Sequence, residues 1–274
     1  MGTQIASAAA APPMGPRASD WVVWQMIDSL YPTGGFAHSV GLEAAVQERI
    51  VTKAASPSNA SPLHQFLRST LHQTANFALP IVYSMHAAVT DKQANDGSGF
   101  SSNDAAVDES CVVAAFLEIN AHATALFSNH VAKKASFAQG AAMLRLAISS
   151  YHSKHDDRFQ VLVTIRKESK RQKHPGIHHA VVFALVCALL GVDAATCQRM
   201  YLFFVIRDVL SAATRLNLIG PFEASRMQFE MSELMEQVFQ AKKNRPIDDS
   251  YSSAPVLDLI QAMHDQLYTR IFNS

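Results

Sequence analysis

Cysteine is scarce. The 274 residues contain three, Cys111, Cys187 and Cys197, an odd number with no CxxC spacing. That argues against a disulfide framework and a structural zinc site and fits a reducing compartment. An excess of either charge is also missing, with 23 Lys+Arg against 23 Asp+Glu. A nucleic-acid binder normally carries a basic surplus, so neutrality argues against that class, while weak self-repulsion permits association. Long apolar runs are absent too. The longest, Ala180 to Leu190 (AVVFALVCALL), falls well short of the ~20 residues that cross a bilayer and is stopped by Gly191 and Asp193. It reads as a buried core helix. The N-terminal stretch, Met1 to Pro16, lacks the basic and apolar regions of a secretory signal and reads as a disordered lead-in over residues 1–18, with an organelle transit peptide as the alternative although Arg17 is its only positive side chain. Apolar residues make up 49% and charged residues 17%. This is globular composition and excludes a largely disordered chain.

What is present is helical periodicity. Ser19 or Asp20 caps a first helix through Trp21, Trp24 and Ile27, which Pro32-Thr33-Gly34-Gly35 ends. His38 to Ile50 reads as a second helix and Ser56 to Pro62 as a loop. A third helix starts at Pro62 and is ended or kinked by Pro80, with Ile81 to Thr90 continuing as a fourth. Asp91 to Asp108 reads as a mobile Gly/Ser surface loop. Val112 to Phe127 and Val131 to Tyr151 follow as helices. His152 to Gly176 is the least helical stretch, and Phe159 to Ile165 (FQVLVTI) admits a short strand by alternation. Helices resume over Ile177 to Leu190, from Asp193 to about Leu216, over Phe222 to Ala241, and in the amphipathic stretch Pro255 to Ile271. With no strand rhythm, the fold class is all-α, a single-domain bundle of about ten helices. Lead-in, main domain and C-terminal tail divide as 1–18, 19–253 and 254–274.

Catalytic signatures are missing as well. There is no GxxxxGK[ST], GxSxG, HExxH or helix-opening GxGxxG, which lowers the expectation of an enzyme. Histidine is plentiful at 12 residues. His174 and His178 have metal-ligand spacing, but Pro175 pushes His174 out of helical geometry, so they are weak metal candidates among histidines that read as surface or capping residues. The basic run Arg166 to Lys173 (RKESKRQK) admits nucleic acid or an acidic partner, but Glu168 interrupts it and no aromatics interleave, so it reads as a solvated loop. Met227, Met231 and Met235 recur every four residues as a helix face.

The most distinctive segment is Asp28 to Glu43, DSLYPTGGFAHSVGLE. Its paired glycines permit unusual backbone angles, with φ > 0 expected at Gly35. Phe36 is expected in the core, Ser39 as a cap, and Glu43 near a helix N-terminus. YPTGGFAHSVGLE resembles the signature of the urease accessory protein F (UreF) family, P-x-G-[GA]-F-x-x-S-x-G-L-E. Four further stretches agree in order. They are NHVAKKASFAQGAAMLR from Asn129, KHPGIHHAVVFALVCALLG from Lys173, SAATRLNLIG from Ser211 and the C-terminal APVLDLIQAMHDQLYTRIFNS. The stretch from Lys173 departs from the family at Phe183 and Val186 and in having Pro175 directly after His174, and the stretch from Ser211 carries Asn217 where a proline neighbourhood is usual. The Gly/Ser loop and Ala/Pro lead-in resemble a plant-type or other eukaryotic member.

The resemblance implies an all-α homodimer that is a nickel-insertion helper rather than an enzyme. It would bind UreH or UreD on one side, recruit the GTPase UreG on the other, and couple GTP hydrolysis to nickel delivery into apo-urease. Nickel would pass through the complex with no stably bound cofactor, in the cytoplasm, without nucleic acid or membrane. A stand-alone histidine-rich nickel-binding protein and an uncharacterised enzyme are the alternatives. On this reading the partner contacts include Pro32, Gly34, Gly35, Phe36, Ser39, Gly41 and Glu43 of the signature, with Arg215. The tail adds Leu257, His264, Leu267, Tyr268, Arg270 and Phe272. It is expected to dock loosely in the free protein and to become ordered against UreH/UreD.

Overall fold

The computed structural model describes residues 18–53, 61–95, 109–152 and 157–274. The expected lead-in before residue 18, most of the Ser/Pro-rich loop, the Gly/Ser stretch from residue 96 to 108, and His155 lie outside the described residues. The described chain forms ten α-helices, α1 Ala18–Ile27, α2 Leu42–Gln47, α3 Pro62–Asn95, α4 Glu109–Leu126, α5 His130–Tyr151, α6 Gln160–Arg171, α7 His179–Leu189, α8 Ala194–Arg215, α9 Pro221–Lys242 and α10 Pro255–Ala262. Short 3-10 turns at Gly35–Ala37, Asp157–Phe159, Ile247–Asp249 and Met263–Gln266 complete it, with no strand among the described residues. The all-α expectation holds.

α7 is the axis of the bundle. All 11 of its residues are buried, as its all-round apolar sequence requires. α3, α5 and α8 pack around it, α9 lies against α8 and α3, and α4 joins α3 to α6. The close approach of α5 is built by the Ala-Ser-x-Ala-Gln-Gly motif. A Cβ on Gly140 would lie 2.0 Å from the Ile177 carbonyl, so only glycine fits. Ser136 Oγ accepts from the His179 amide at 3.2 Å and meets His178 Nδ1 at 3.0 Å.

One expected break is absent, and the one stretch that admitted a strand is helical. α3 runs unbroken through Pro80. The missing amide of Pro80 frees the Asn76 carbonyl, and the polar linker after α9 repairs the gap. Tyr251 N donates to Asn76 O at 3.2 Å, Ser250 Oγ to Phe77 O at 2.6 Å, and Arg245 Nη2 to Ala75 O at 2.8 Å. The FQVLVTI stretch is helical rather than extended, because Val161, Leu162, Ile165 and Ser169 fall on one buried face of α6. The expected second helix also shortens. His38 caps the end of the Gly35–Ala37 turn in extended conformation, and α2 begins only after Gly41 and ends at Gln47. Asp193 caps α8 as expected, accepting from Thr196 N at 2.9 Å. Asn217 takes φ 57 just past α8, a left-handed position that asparagine tolerates. Met227 and Met231 are core residues and Met235 packs partly against them.

Candidate partner-docking site

The signature segment is folded by left-handed backbone at three positions, Gly34 (φ 81), Val40 (φ 55) and Gly41 (φ 86). Gly35, expected to carry the positive φ, does not. Its constraint is proximity, since a Cβ there would lie 2.4 Å from Asp208 Oδ2. Asp208 is held by Arg207, whose Nη2 and Nε donate to Oδ1 at 2.7 and 3.0 Å. Burial raises the Asp208 pKa and the Arg207 cation opposes it. Pro32 sits in the bend that precedes this turn. Phe36 is not in the core. It is 61% exposed, because the 3-10 turn faces it outward beside Arg215.

Glu43 is only 1% exposed and closes the tail onto the signature. Its Oε1 accepts from Ile271 N at 2.6 Å, and its Oε2 accepts from Phe272 N and His264 Nε2, each at 3.1 Å. Ser39 caps the turn into α2, with Glu43 N donating to its Oγ at 3.3 Å. Ser39 N donates to Ser274 O at 2.7 Å, and Asn273 N to Ala37 O at 2.8 Å. Arg215 donates to the Phe36 carbonyl and stacks 4.1 Å from the Phe272 ring centroid. The guanidinium is thus shared between signature and tail. Burial lowers its pKa, while Asp208 and Glu43 pull it back up.

The tail is therefore docked, not loose. Ile260, His264 and Phe272 are buried, and Leu257 and Leu267 pack against the same core. Helix α10 sits on Gly41, where a Cβ would approach Gln261 Cβ to 3.0 Å. It is tied to the start of α5 by Asn129 Nδ2, which donates to Asp258 O at 2.9 Å. The helix ends at Ala262, so Ile271 leaves the expected stripe and points outward. Tyr268 is 101% exposed, and Arg270 reaches Asp265 at 3.4 Å.

A cavity of about 190 Å³ lies behind the signature, with Gly35, His38, Phe77, His179, Asp208 and Gln261 in its wall. Burial lowers the His38 and His179 pKa values to about 4 each, with His264 adding to the effect at His38 and His38 at His179. His38 and Asp208 were not singled out in the sequence. His38 lies inside the signature and was legible there, whereas nothing local marks Asp208. The histidines are less superficial than expected, with His38, His64, His86, His178, His179 and His264 all buried.

The weak metal pair is not assembled into a site. His178 is stacked on Phe127 at 4.5 Å, and both its ring nitrogens meet hydroxyls, Ser136 at 3.0 Å and Thr124 at 3.1 Å. Burial, then the Lys133 cation, lowers its pKa to about 3. Among the described residues no group of three or more His, Cys, Asp or Glu side chains is placed to share a metal ion. No helix among the described residues is long and apolar enough to cross a membrane.

The surface so built has a buried carboxylate, a shared guanidinium and an outward rim of aromatic and aliphatic side chains. It has the composition of a protein-docking surface. The UreF family model matches residues 58–232. The urease accessory protein F of Arabidopsis thaliana is 38% identical over 254 residues, covering 93% of this chain and 92% of that one. That of Oryza sativa subsp. indica is 36% identical over 252 residues, covering 92% and 84%. The urease accessory protein UreF of Bacillus sp. (strain TB-90) is 27% identical over 255 residues, covering 92% and 97%. Signature and tail meet in this structure in the manner just described, and the chain belongs to the urease accessory protein F family.

Proposed function

We propose that this chain acts in urease maturation as a non-catalytic scaffold, a homodimer in the cytoplasm that holds UreH/UreD and the GTPase UreG together for nickel delivery to apo-urease. The observation that carries this reading is the junction of signature and tail. Gly35, Glu43 and Arg215 are spent on intrachain contacts there, and Phe36, Tyr268 and Ile271 stand exposed around that junction. Pinning a chain end in place removes the ordering cost that a free tail would pay on binding. The sequence lacks a nucleotide-hydrolysis motif, so GTP turnover belongs to the partner. A scaffold alters that turnover only if it binds two partner states with different affinity.

The test is capture of purified UreH/UreD by Phe36→Ala/Tyr268→Ala. Both side chains are exposed, so circular dichroism and the melting temperature stay as in wild type. Capture falls about tenfold or more if they are binding anchors. Full capture by the folded variant removes this surface from the docking role.

A further inference from the structure

The basic run, which the docking junction does not use, is not a solvated loop. It forms one wall of a cleft between α5 and α6 of about 660 Å³. Arg166 and Lys170 lie one turn apart on α6, Lys173 follows just beyond its end, and Arg145 faces them from α5. None of the four is ion-paired with a described residue, and no carboxylate lines the cleft. Glu168, the one acid in the run, is taken by Arg171 at 2.7 Å. In a chain with zero net charge this concentration of cations is local. Two residues of the cleft's wall each carry a buried polar atom without a partner. Ser169 is 7% exposed with an unpartnered hydroxyl, and the His174 Nδ1 is buried without a partner. Orphaned buried polar atoms call for a ligand or water to complete them.

We propose that this cleft binds a small anion carrying phosphate groups. A single carboxylate would leave most of the four cations unneutralised, whereas a phosphate carries close to two charges and a pyrophosphate more. Phosphate oxygens accept in all directions, which suits the guanidinium and ammonium donors that line two walls. The apolar floor, with Phe137 and Leu144, leaves room for an organic body beside the phosphate.

Isothermal titration of the full chain with inorganic phosphate, pyrophosphate and ATP tests this, with a Glu-rich peptide as comparator. Saturable binding is expected, tighter for pyrophosphate than for phosphate and weakening steeply with salt. ATP binding tighter than pyrophosphate identifies a nucleotide as the source, and equal affinity identifies free phosphates. Arg166→Gln/Lys170→Gln lowers affinity about tenfold or more, the scale of lost charge-assisted contacts, and Ser169→Ala lowers it severalfold. Lys53→Gln, a distant exposed control, leaves it unchanged. Arg145→Gln on the opposite wall repeats the test if circular dichroism shows the double variant misfolded. No saturable binding at millimolar phosphate or pyrophosphate overturns the proposal. So does binding that all these variants retain, or binding of the Glu-rich peptide alone.

Discussion

At the residue scale, one carboxylate holds the chain end. Glu43→Gln keeps the side-chain shape but aims an amide NH2 at backbone N–H groups, and it removes the charge that the Ile271 and Phe272 amides and His264 contact. Breaking a buried charged cluster of this kind costs about 3 kcal/mol. The expected outcome is a lower melting temperature with selective proteolysis after Gln266, read by mass spectrometry. A melting temperature and cleavage pattern like those of wild type would show that packing alone retains the tail. Gly35→Ala is expected to cost about 1–3 kcal/mol through overpacking on Asp208. Because that cost is a collision with one side chain, Asp208→Ala in the same chain restores part of it, and a thermal double-mutant cycle measures the coupling. Strict additivity would place the strain in the backbone instead.

At the level of elements, the tightest contact is between α5 and the start of α7. Gly140→Ala puts a methyl group 2.0 Å from a backbone carbonyl that has no rotamer to escape through. The expected loss is about 3 kcal/mol, visible in a denaturation midpoint. What the sequence disclosed and what it hid divide along physical lines. The buried α7, the cap at Asp193, the break at Gly220-Pro221 and the Met face of α9 rest on local chemistry and were readable. The continuity of α3 was not, because the partners of the carbonyls around Pro80 come from residues 245–251. α6 was misjudged because branched residues and alternation mimic a strand over a short window, and only the helix spacing of Val161, Leu162, Ile165 and Ser169 separates the two. In the site, the glycines announced an unusual turn, but a β-branched residue at φ 55, Val40, is a strain that tertiary packing imposes.

For the whole molecule, buried neutral histidines set the response to acid. His38 and His179 titrate near 4 and His178 near 3 in the folded chain, below the ordinary value of 6.5. The unfolded chain therefore binds more protons between pH 6.5 and those values, and stability present above pH 6.5 is lost as pH falls through them. Each group contributes up to about 1.4 kcal/mol per pH unit inside its window. Melting temperatures from pH 7.5 downward are expected to fall most steeply across this interval. A flat profile would mean that these imidazoles are solvated. The proposed dimer has surface to draw on, since Trp21, Trp24, Leu30, Phe222 and Phe229 are exposed. Light scattering at micromolar concentration is expected to give twice the 29.9 kDa chain mass, and a result near one chain mass contradicts the dimer. The burial of α7 on every side also makes it a timekeeper. Its amides meet deuterium only when the bundle opens as a unit, so their exchange rate reports the lifetime of the whole fold, while those of α1, with its solvent-facing tryptophans, report only local fraying.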